Sequence, residues 1–203
     1  MSRLYFLAPV FLATLSVCAP ADPVACVEPV AVVEEMAQEL QTRLGAVCKE
    51  ADISEIKQLI KEIVIPHVDV TFIVKQVLGR KYWYDATKEE HQKIEELMED
   101  LMVNQYAVAF NCRFLSGDVT FHPLRDDISK YLRVSSTVSL SDQESYSMKY
   151  ALRCTDNKEW RLYDFIFNGF SLGQTYRSQF SQILKSGGAQ GLIQFLEKEL
   201  SDD

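Results

Sequence analysis

Two spacings of hydrophobic residues divide the chain into helical and sheet-forming parts. Apolar residues recur every three or four positions from residue 33 to about residue 114, as on one face of an α-helix. From residue 117 to residue 168 they alternate with polar residues, as in half-buried strands. Helical spacing returns over residues 171–201. This order predicts an α+β fold in which an antiparallel meander sheet lies between N-terminal and C-terminal helices.

Capping and breaking residues divide the first part into four helices. The predicted helices cover residues 33–47, 53–65, 70–78 and 87–114. Asp52 and Asp69 are suitable N-caps for the second and third helices. Thr87 and Glu90 form a capping box for the fourth. Gly79 is in the expected position to end the third helix.

The segment between the third and fourth predicted helices is basic and aromatic. Residues 80–84 read Arg-Lys-Tyr-Trp-Tyr, and we expect them in a connection. This composition suits a contact surface for a head group or a protein partner. It also suits aromatic rings wedged against the next helix, and we favour that interpretation because Tyr and Trp are commonly buried with only the polar tip in water.

The last predicted strand, residues 160–167, is apolar in both sets of alternating positions. One set is Trp160, Leu162 and Ile166, and the other is Tyr163, Phe165 and Phe167. A strand that is apolar on both faces requires cover on both. We expect the protein core on one face and a further partner on the other.

The segment that follows this strand matches a catalytic motif. Residues 169–173 read Gly-Phe-Ser-Leu-Gly, the G-x-S-x-G pattern of α/β-hydrolases, in a strand–turn–helix setting. That mechanism needs a histidine after the serine, and all three histidines precede it. They are His67, His91 and His122. Ser171 and Gln174 also form a capping box. We therefore interpret Ser171 as a helix N-cap, with a secreted serine esterase as the alternative.

The first 21 residues have the composition of a signal peptide. Arg3 precedes an apolar run that ends at Val17, and Ala-Pro-Ala follows at residues 19–21. The run is too short to span a bilayer. We predict export, with cleavage after about Ala21. A second interpretation makes Cys18 a lipidated N-terminus, which the bulky residue before it disfavours.

The rest of the chain forms one predicted domain. An extended lead-in covers residues 22–32, and the domain covers residues 33–203. Within the domain we place a helical part at 33–115, a sheet at 117–168 and C-terminal helices at 171–201. The chain carries a net charge of −8 at pH 7, which disfavours nucleic acid as a partner. We find no catalytic set, metal motif or cofactor motif.

The cysteines that follow the leader are even in number. They are Cys26, Cys48, Cys112 and Cys154. In an oxidising compartment this predicts two disulfides, with three possible connectivities. We favour Cys26–Cys48 and Cys112–Cys154 because each pair joins neighbouring segments of the predicted layout.

Several short motifs are shared with a known family. Residues 66–69 read Pro-His-Val-Asp, residues 77–83 read Val-Leu-Gly-Arg-Lys-Tyr-Trp, and Ala-Thr follows at 86–87. Later, residues 160–164 read Trp-Arg-Leu-Tyr-Asp, 168–172 Asn-Gly-Phe-Ser-Leu and 176–180 Tyr-Arg-Ser-Gln-Phe. In order and spacing, roughly from residue 35 to residue 200, the chain resembles the MlaC-type, or toluene-tolerance, periplasmic phospholipid-binding proteins of Gram-negative bacteria. The paired cysteines are not part of that family pattern.

The resemblance implies a fold and a function. The expected fold is a curved antiparallel sheet of NTF2-like type, wrapped by helices around an apolar cavity. The expected cargo is a phospholipid, carried through the periplasm between an outer-membrane lipoprotein and porin complex and an inner-membrane ABC transporter with a membrane-anchored substrate-binding subunit. Such transport maintains outer-membrane lipid asymmetry, and it requires neither a cofactor nor catalysis. Some relatives carry hopanoids or other apolar molecules instead.

The physics of that function requires an apolar interior. Each buried methylene contributes about 0.8 kcal/mol, so an acyl chain of about 16 carbons costs on the order of 12 kcal/mol to hold in water. A carrier must therefore offer a dry cavity. The predicted cavity wall consists of Leu78, Met102, Tyr106, Phe110, Val134, Met148, Tyr150, Ile166 and Phe170. For each of them, a place in an ordinary core is the alternative.

Overall fold

The computed structural model describes Cys26 and residues 28–47, 52–109, 116–125, 129–141 and 144–201. This part of the chain forms five α-helices and one sheet of five strands. The helices are α1 (Pro29–Val47), α2 (Ile53–Ile63), α3 (Val70–Asp85), α4 (Lys88–Ala109) and α5 (Leu172–Ser201). The strands are β1 (Asp118–His122), β2 (Tyr131–Ser139), β3 (Ser145–Cys154), β4 (Trp160–Phe167) and β5 (Phe170–Ser171). A 3-10 helical turn, Ile65–His67, links α2 to α3.

The strands pair in chain order as a curved antiparallel meander, which confirms the predicted α+β fold. Strand β2 shows the alternation most clearly, because Leu132, Val134 and Val138 are buried and Arg133 is exposed. Val134 pairs with Tyr150 of β3, which is also buried. We call the face of the sheet that carries these buried residues the inner face, and the opposite one the outer face.

Strand β4 departs from strict alternation because it contains a β-bulge. Its register with β3 shifts after Leu162, which makes Tyr163 the extra residue. An extra residue reverses the alternation of the side chains that follow it. Phe165 and Phe167 therefore share the inner face with Leu162, and Ile166 turns to the outer face. The predicted division of these side chains between the two faces was wrong beyond Leu162 for this reason.

Two groups of buried side chains hold the elements together. The first lies between α1, α2 and the inner face of the sheet and includes Leu44 and Ile60. The second lies among α3, α4 and α5 and includes Met98 and Leu192. Tyr106 of α4 packs against both groups. The first group thus covers the inner face of the sheet, and the second holds α3, α4 and α5 together.

Several helix ends differ from the predicted ones. Helix α1 begins at Pro29, inside the predicted extended lead-in, because proline at the first helical position gives up no helical hydrogen bond. Helix α3 kinks at Gly79, where φ is 65°, and continues to Asp85 instead of ending there. Helix α5 likewise continues through Gly188, where φ is 58°, to Ser201. Glycine tolerates these positive φ values, so each helix changes direction at one residue and then resumes.

The predicted N-caps are confirmed. Asp52 and Asp69 each accept a hydrogen bond from a backbone N–H in the first turn of α2 and α3. In the capping box of α4, the Glu90 N–H donates to Thr87 Oγ1 at 3.1 Å, and the Thr87 N–H donates to a Glu90 carboxylate oxygen at 2.8 Å. Each of these caps joins residues only three positions apart, which explains why the sequence could predict it.

The disulfide pairing differs from the favoured one. Cys26 is bonded to Cys154, at a sequence separation of 128, so neither Cys26–Cys48 nor Cys112–Cys154 can form. Cys26, three residues before the start of α1, lies beside Cys154 at the end of β3, with the two Cα atoms 5.7 Å apart. Proximity along the chain was therefore a poor guide. Cys48 and Cys112 lie outside the described residues.

The predicted signal peptide, residues 1–21, also lies outside the described residues. None of the helices in the described part of the chain has the length and apolarity that a bilayer-spanning helix needs.

We expect the double substitution Cys26→Ser with Cys154→Ser to lower the free energy of unfolding by about 2–4 kcal/mol. A cross-link that closes a loop this long restricts the unfolded chain, and its loss removes that restriction. Urea denaturation with and without dithiothreitol measures the effect. The wild type in reductant should match the variant, whereas a midpoint that is insensitive to reductant in both proteins contradicts the pairing.

Candidate functional site

An apolar cavity lies between α1, the 3-10 turn, α4 and the inner face of the sheet. It encloses about 100 Å³. Helix α1 supplies Met36, Ala37, Leu40 and Gln41 to its wall, and the sheet supplies Phe165 among others. Apolar side chains form most of this wall, so the cavity suits hydrocarbon rather than a charged ligand.

Four of the predicted cavity residues lie on this wall. Met102 and Tyr106 reach it from α4, and Met148 and Tyr150 reach it from β3. Phe110 lies outside the described residues. That these side chains contact a ligand stays a prediction.

The other four predicted residues lie elsewhere. Leu78 packs among α3, α4 and α5, and Val134 is fully buried in the core between the helices and the sheet. Ile166 lies on the outer face because of the bulge. Phe170 is 77% exposed, directly after the turn at Gly169. Apolar character alone could not separate core, cavity and surface positions.

Sequence reasoning missed the contribution of α1. Met36, Ala37 and Leu40 have helical spacing, which by itself predicts only the apolar face of a helix. Whether such a face meets packed side chains or a cavity depends on the distance to the opposite wall, which spacing does not encode. Gln41 also faces the cavity, and its Nε2 donates to the Gly117 carbonyl at 2.8 Å.

One carboxylate lies on the cavity wall, and it is held by the start of α5. Asp164 Oδ2 accepts a hydrogen bond from Ser171 Oγ at 2.6 Å, and Asp164 Oδ1 accepts one from the Gly173 N–H at 2.9 Å. Ser171 Oγ in turn accepts from the Gln174 N–H at 3.1 Å. The carboxylate therefore satisfies hydrogen-bond donors at the N-terminus of α5, where the helix dipole also favours a negative charge. Ser171 is the N-cap, as the sequence predicted.

Among the residues that the structure describes, Ser171 lacks the hydrogen-bonded histidine of a serine hydrolase. His91 stacks on Trp83 with 3.9 Å between ring centroids, and His91 Nε2 lies 2.9 Å from the Trp83 carbonyl. His122 Nε2 lies 2.8 Å from Thr137 Oγ1. Partial burial lowers the pKa of His67, with Arg161 contributing in the same direction. No hydrogen bond between a histidine and Ser171 occurs in the described part of the chain, and that part holds no cluster of three or more potential metal ligands.

The phenols of the cavity wall stay uncharged. Burial raises the pKa of Tyr106 well above its usual value and also raises the pKa of Tyr150. Both side chains are therefore protonated at neutral pH and offer O–H groups rather than phenolates. An apolar cargo meets no phenolate charge on this wall.

The basic and aromatic segment that follows Gly79 is helical rather than a connection. Trp83 is half-buried and packs on His91 of α4, which confirms the wedge interpretation for this ring. Tyr84 is 73% exposed. The two aromatic residues therefore have different roles: Trp83 packs α3 against α4, and Tyr84 lies in solvent.

The sequence matches the family described as MlaC protein over residues 33–198. The chain belongs to the MlaC family. Its fold is thus that of a known family, and the resemblance seen in the motifs is confirmed.

Two further similarities agree with membership of the MlaC family. The toluene tolerance protein ttg2D of Pseudomonas putida is 26% identical over 129 residues, which cover 64% of this chain. The chain spans only 59% of the length of that relative. A phospholipid-binding protein from Ralstonia solanacearum, solved in complex with a phospholipid, has 25% sequence identity and a TM-score of 0.76. The match covers 85% of this chain and 96% of the Ralstonia chain.

We expect Ser171→Ala to reduce stability by about 1–2 kcal/mol, because it removes an N-cap and one donor to Asp164. Thermal and urea denaturation measure this loss. Ser186→Ala is the matched control, since that hydroxyl on the same helix donates only to backbone carbonyls. It should change stability by less than about 0.5 kcal/mol.

The same variant tests the esterase alternative. Any hydrolysis of p-nitrophenyl esters by the wild-type protein should persist unchanged in Ser171→Ala. Loss of hydrolysis in a variant that is still folded would instead make Ser171 a nucleophile.

Proposed function

We propose that this protein is a soluble periplasmic phospholipid carrier. The observation that carries the proposal is the apolar cavity between helices and sheet, in a fold whose solved relative from Ralstonia solanacearum was obtained in complex with a phospholipid. Hydrocarbon tails are stabilised when they leave water for such a cavity, and the hydrated head group stays at its mouth.

The size of the cavity sets a condition on this function. Its volume of about 100 Å³ is smaller than the roughly 150 Å³ of an engineered cavity that admits benzene. The walls must therefore separate for two acyl chains to enter. Three wall residues, Met36, Met102 and Met148, suit this requirement because unbranched thioether chains adapt their shape at little cost.

Helix α1 is the wall best suited to move. It crosses the inner face of the sheet, and the disulfide that precedes it ties its start to β3. Nearer its other end, Gln41 donates to the Gly117 carbonyl, and Arg43 pairs with Glu62 at the surface. The exposed Arg43–Glu62 pair joins α1 to α2 and adds little resistance at this end, whereas the start of α1 is covalently attached.

The proposed place of the protein in transport is supported by its signal-peptide pattern and by its family. The pattern of residues 1–21 favours export to the periplasm, where an oxidising environment suits the Cys26–Cys154 bond. The protein carries phospholipid between an outer-membrane lipoprotein and porin complex and an inner-membrane ABC transporter, and so maintains outer-membrane lipid asymmetry. This role needs no catalytic step, cofactor or metal.

Native mass spectrometry of the protein purified from a periplasmic extract tests the proposal directly. We expect a mass increment that equals a two-chain phospholipid, and its identity follows from lipid extraction and fragmentation. Protein that carries no lipid, and takes none up from vesicles, contradicts the carrier function. If a hopanoid or another apolar molecule is found in place of phospholipid, the proposed cargo is wrong and the carrier function stands.

We expect Ala37→Leu to weaken lipid binding by roughly tenfold or more, because the added carbons occupy much of the cavity. Ala46→Leu is the matched control, since Ala46 is exposed on the same helix and is not among the residues that line the cavity. Displacement of a fluorescent phospholipid measures affinity, and the melting temperature verifies folding. Equal affinity of the two folded variants would place the binding site elsewhere.

A further inference from the structure

The inner face of the sheet carries a hydrogen-bonded pair of hydroxyl groups among its apolar side chains. Ser136 is 1% exposed and is the only buried polar residue in the described part of the chain. Its Oγ lies 3.2 Å from the hydroxyl of Tyr150, which is 6% exposed. Ser136 pairs with Met148, the neighbour of Tyr150 on the same face of β3. A polar pair in this position needs an explanation, because most of its neighbours on this face are apolar.

The two hydroxyl groups have two hydrogens but share only one hydrogen bond, so one donor has no acceptor among the described residues. Each hydroxyl has one hydrogen, and the bond between the two oxygens uses one of them. Within the described residues, neither hydroxyl makes another hydrogen bond. One O–H group is therefore unused in an apolar environment, which is unfavourable until an acceptor satisfies it.

Tyr150 is the member of the pair that faces the cavity. Tyr150 lines the cavity wall, whereas Ser136 does not. The rings of Phe121 and Phe165 lie 6.1 Å and 5.5 Å from its ring and fix its orientation. Burial raises the pKa of Tyr150, and the Ser136 hydrogen bond opposes this effect only partly. The phenol thus keeps its hydrogen throughout the neutral pH range.

The other well-defined polar groups of the wall have partners. Gln41 donates to the Gly117 carbonyl, and the Asp164 carboxylate accepts hydrogen bonds from the start of α5. A carboxylate also has no hydrogen to donate. The carboxylate therefore does not replace the hydroxyl pair as a donor, and the bond to Gly117 already orients the Gln41 amide.

We infer that the Tyr150 hydroxyl donates a hydrogen bond to an ester carbonyl of the bound lipid. In this arrangement Ser136 donates to the Tyr150 oxygen, and Tyr150 donates to the cargo, so both hydrogens are used. The inference rests on the proposed lipid-carrier function and specifies its substrate class: ester-linked lipids over ether-linked ones of the same shape. The hydroxyl also sets the depth at which the ester region of the lipid rests.

The test compares dipalmitoyl phosphatidylethanolamine with its dihexadecyl ether analogue, which lacks both carbonyls. Competition with a fluorescent phospholipid gives the two dissociation constants for each protein variant. The wild type should bind the ester lipid about three- to tenfold more tightly, the value of one neutral hydrogen bond. Tyr150→Phe should bind both lipids equally, with the ether lipid bound as by the wild type.

Two matched variants separate recognition from stability. Tyr176→Phe also removes a buried tyrosine hydroxyl, which donates to Gln105 at 2.7 Å away from the cavity wall. It should keep the preference for the ester lipid. Ser136→Ala should keep it as well, because Tyr150 still has its own hydrogen to donate.

Infrared spectroscopy provides a readout that does not depend on the affinity measurements. With a ¹³C-carbonyl-labelled ester lipid bound to the wild-type protein, one carbonyl band should lie at the lower frequency of a hydrogen-bonded ester. In Tyr150→Phe that band should return to the frequency of a free ester.

The outcomes distinguish the two proposals. Equal affinity of the wild type for both lipids, or an unshifted carbonyl band, overturns the role of Tyr150 and leaves the carrier function standing. A preference that persists in Tyr150→Phe, or is lost equally in Tyr176→Phe, overturns it as well. Failure of the wild type to bind either lipid overturns the carrier function itself.

Discussion

The β-bulge at Tyr163 is the constraint on which the cavity depends. Without the extra residue, Phe165 and Phe167 would point away from α1 and α2 and leave the inner face short of two large rings. With it, four large apolar side chains of β4 follow one another along the inner face: Trp160, Leu162, Phe165 and Phe167. The bulge also places Asp164 where its carboxylate accepts hydrogen bonds from the start of α5. One local irregularity thus supplies part of the cavity wall and anchors the last helix beside it.

The cavity is closed on its other side by a helix that is fastened unevenly. Covalent attachment through Cys26–Cys154 ties the start of α1 to the end of β3. Along the helix, apolar burial of residues such as Leu44 and surface contacts such as Arg43–Glu62 hold α1 in place. Apolar packing is non-directional, so it resists separation without defining a single arrangement. A carrier requires this combination, because its wall has to move and then return.

The segment around Ser171 shows how one sequence pattern can serve a different purpose. Gly169 has a φ of 89° and allows a tight turn, the serine opens a helix, and both features also occur in hydrolases. Here the serine hydroxyl donates to Asp164 and accepts from the Gln174 N–H, so its hydrogen-bonding capacity serves the helix start. A motif of this kind identifies a strand–turn–helix geometry. Chemistry follows only where a base lies within reach of the hydroxyl.

The sequence by itself determined the order of helices and strands, the N-caps at Asp69 and Thr87, and the inner positions of β2 and β3. These features depend on residues within one or two turns of each other, so their spacing encodes them. Only the tertiary structure decided the partner of Cys26, the faces of β4 beyond Tyr163 and the cavity-facing role of α1. Each of these depends on the register and distance between segments far apart in the chain, because apolar side chains are suited equally to a filled core and to the wall of a cavity.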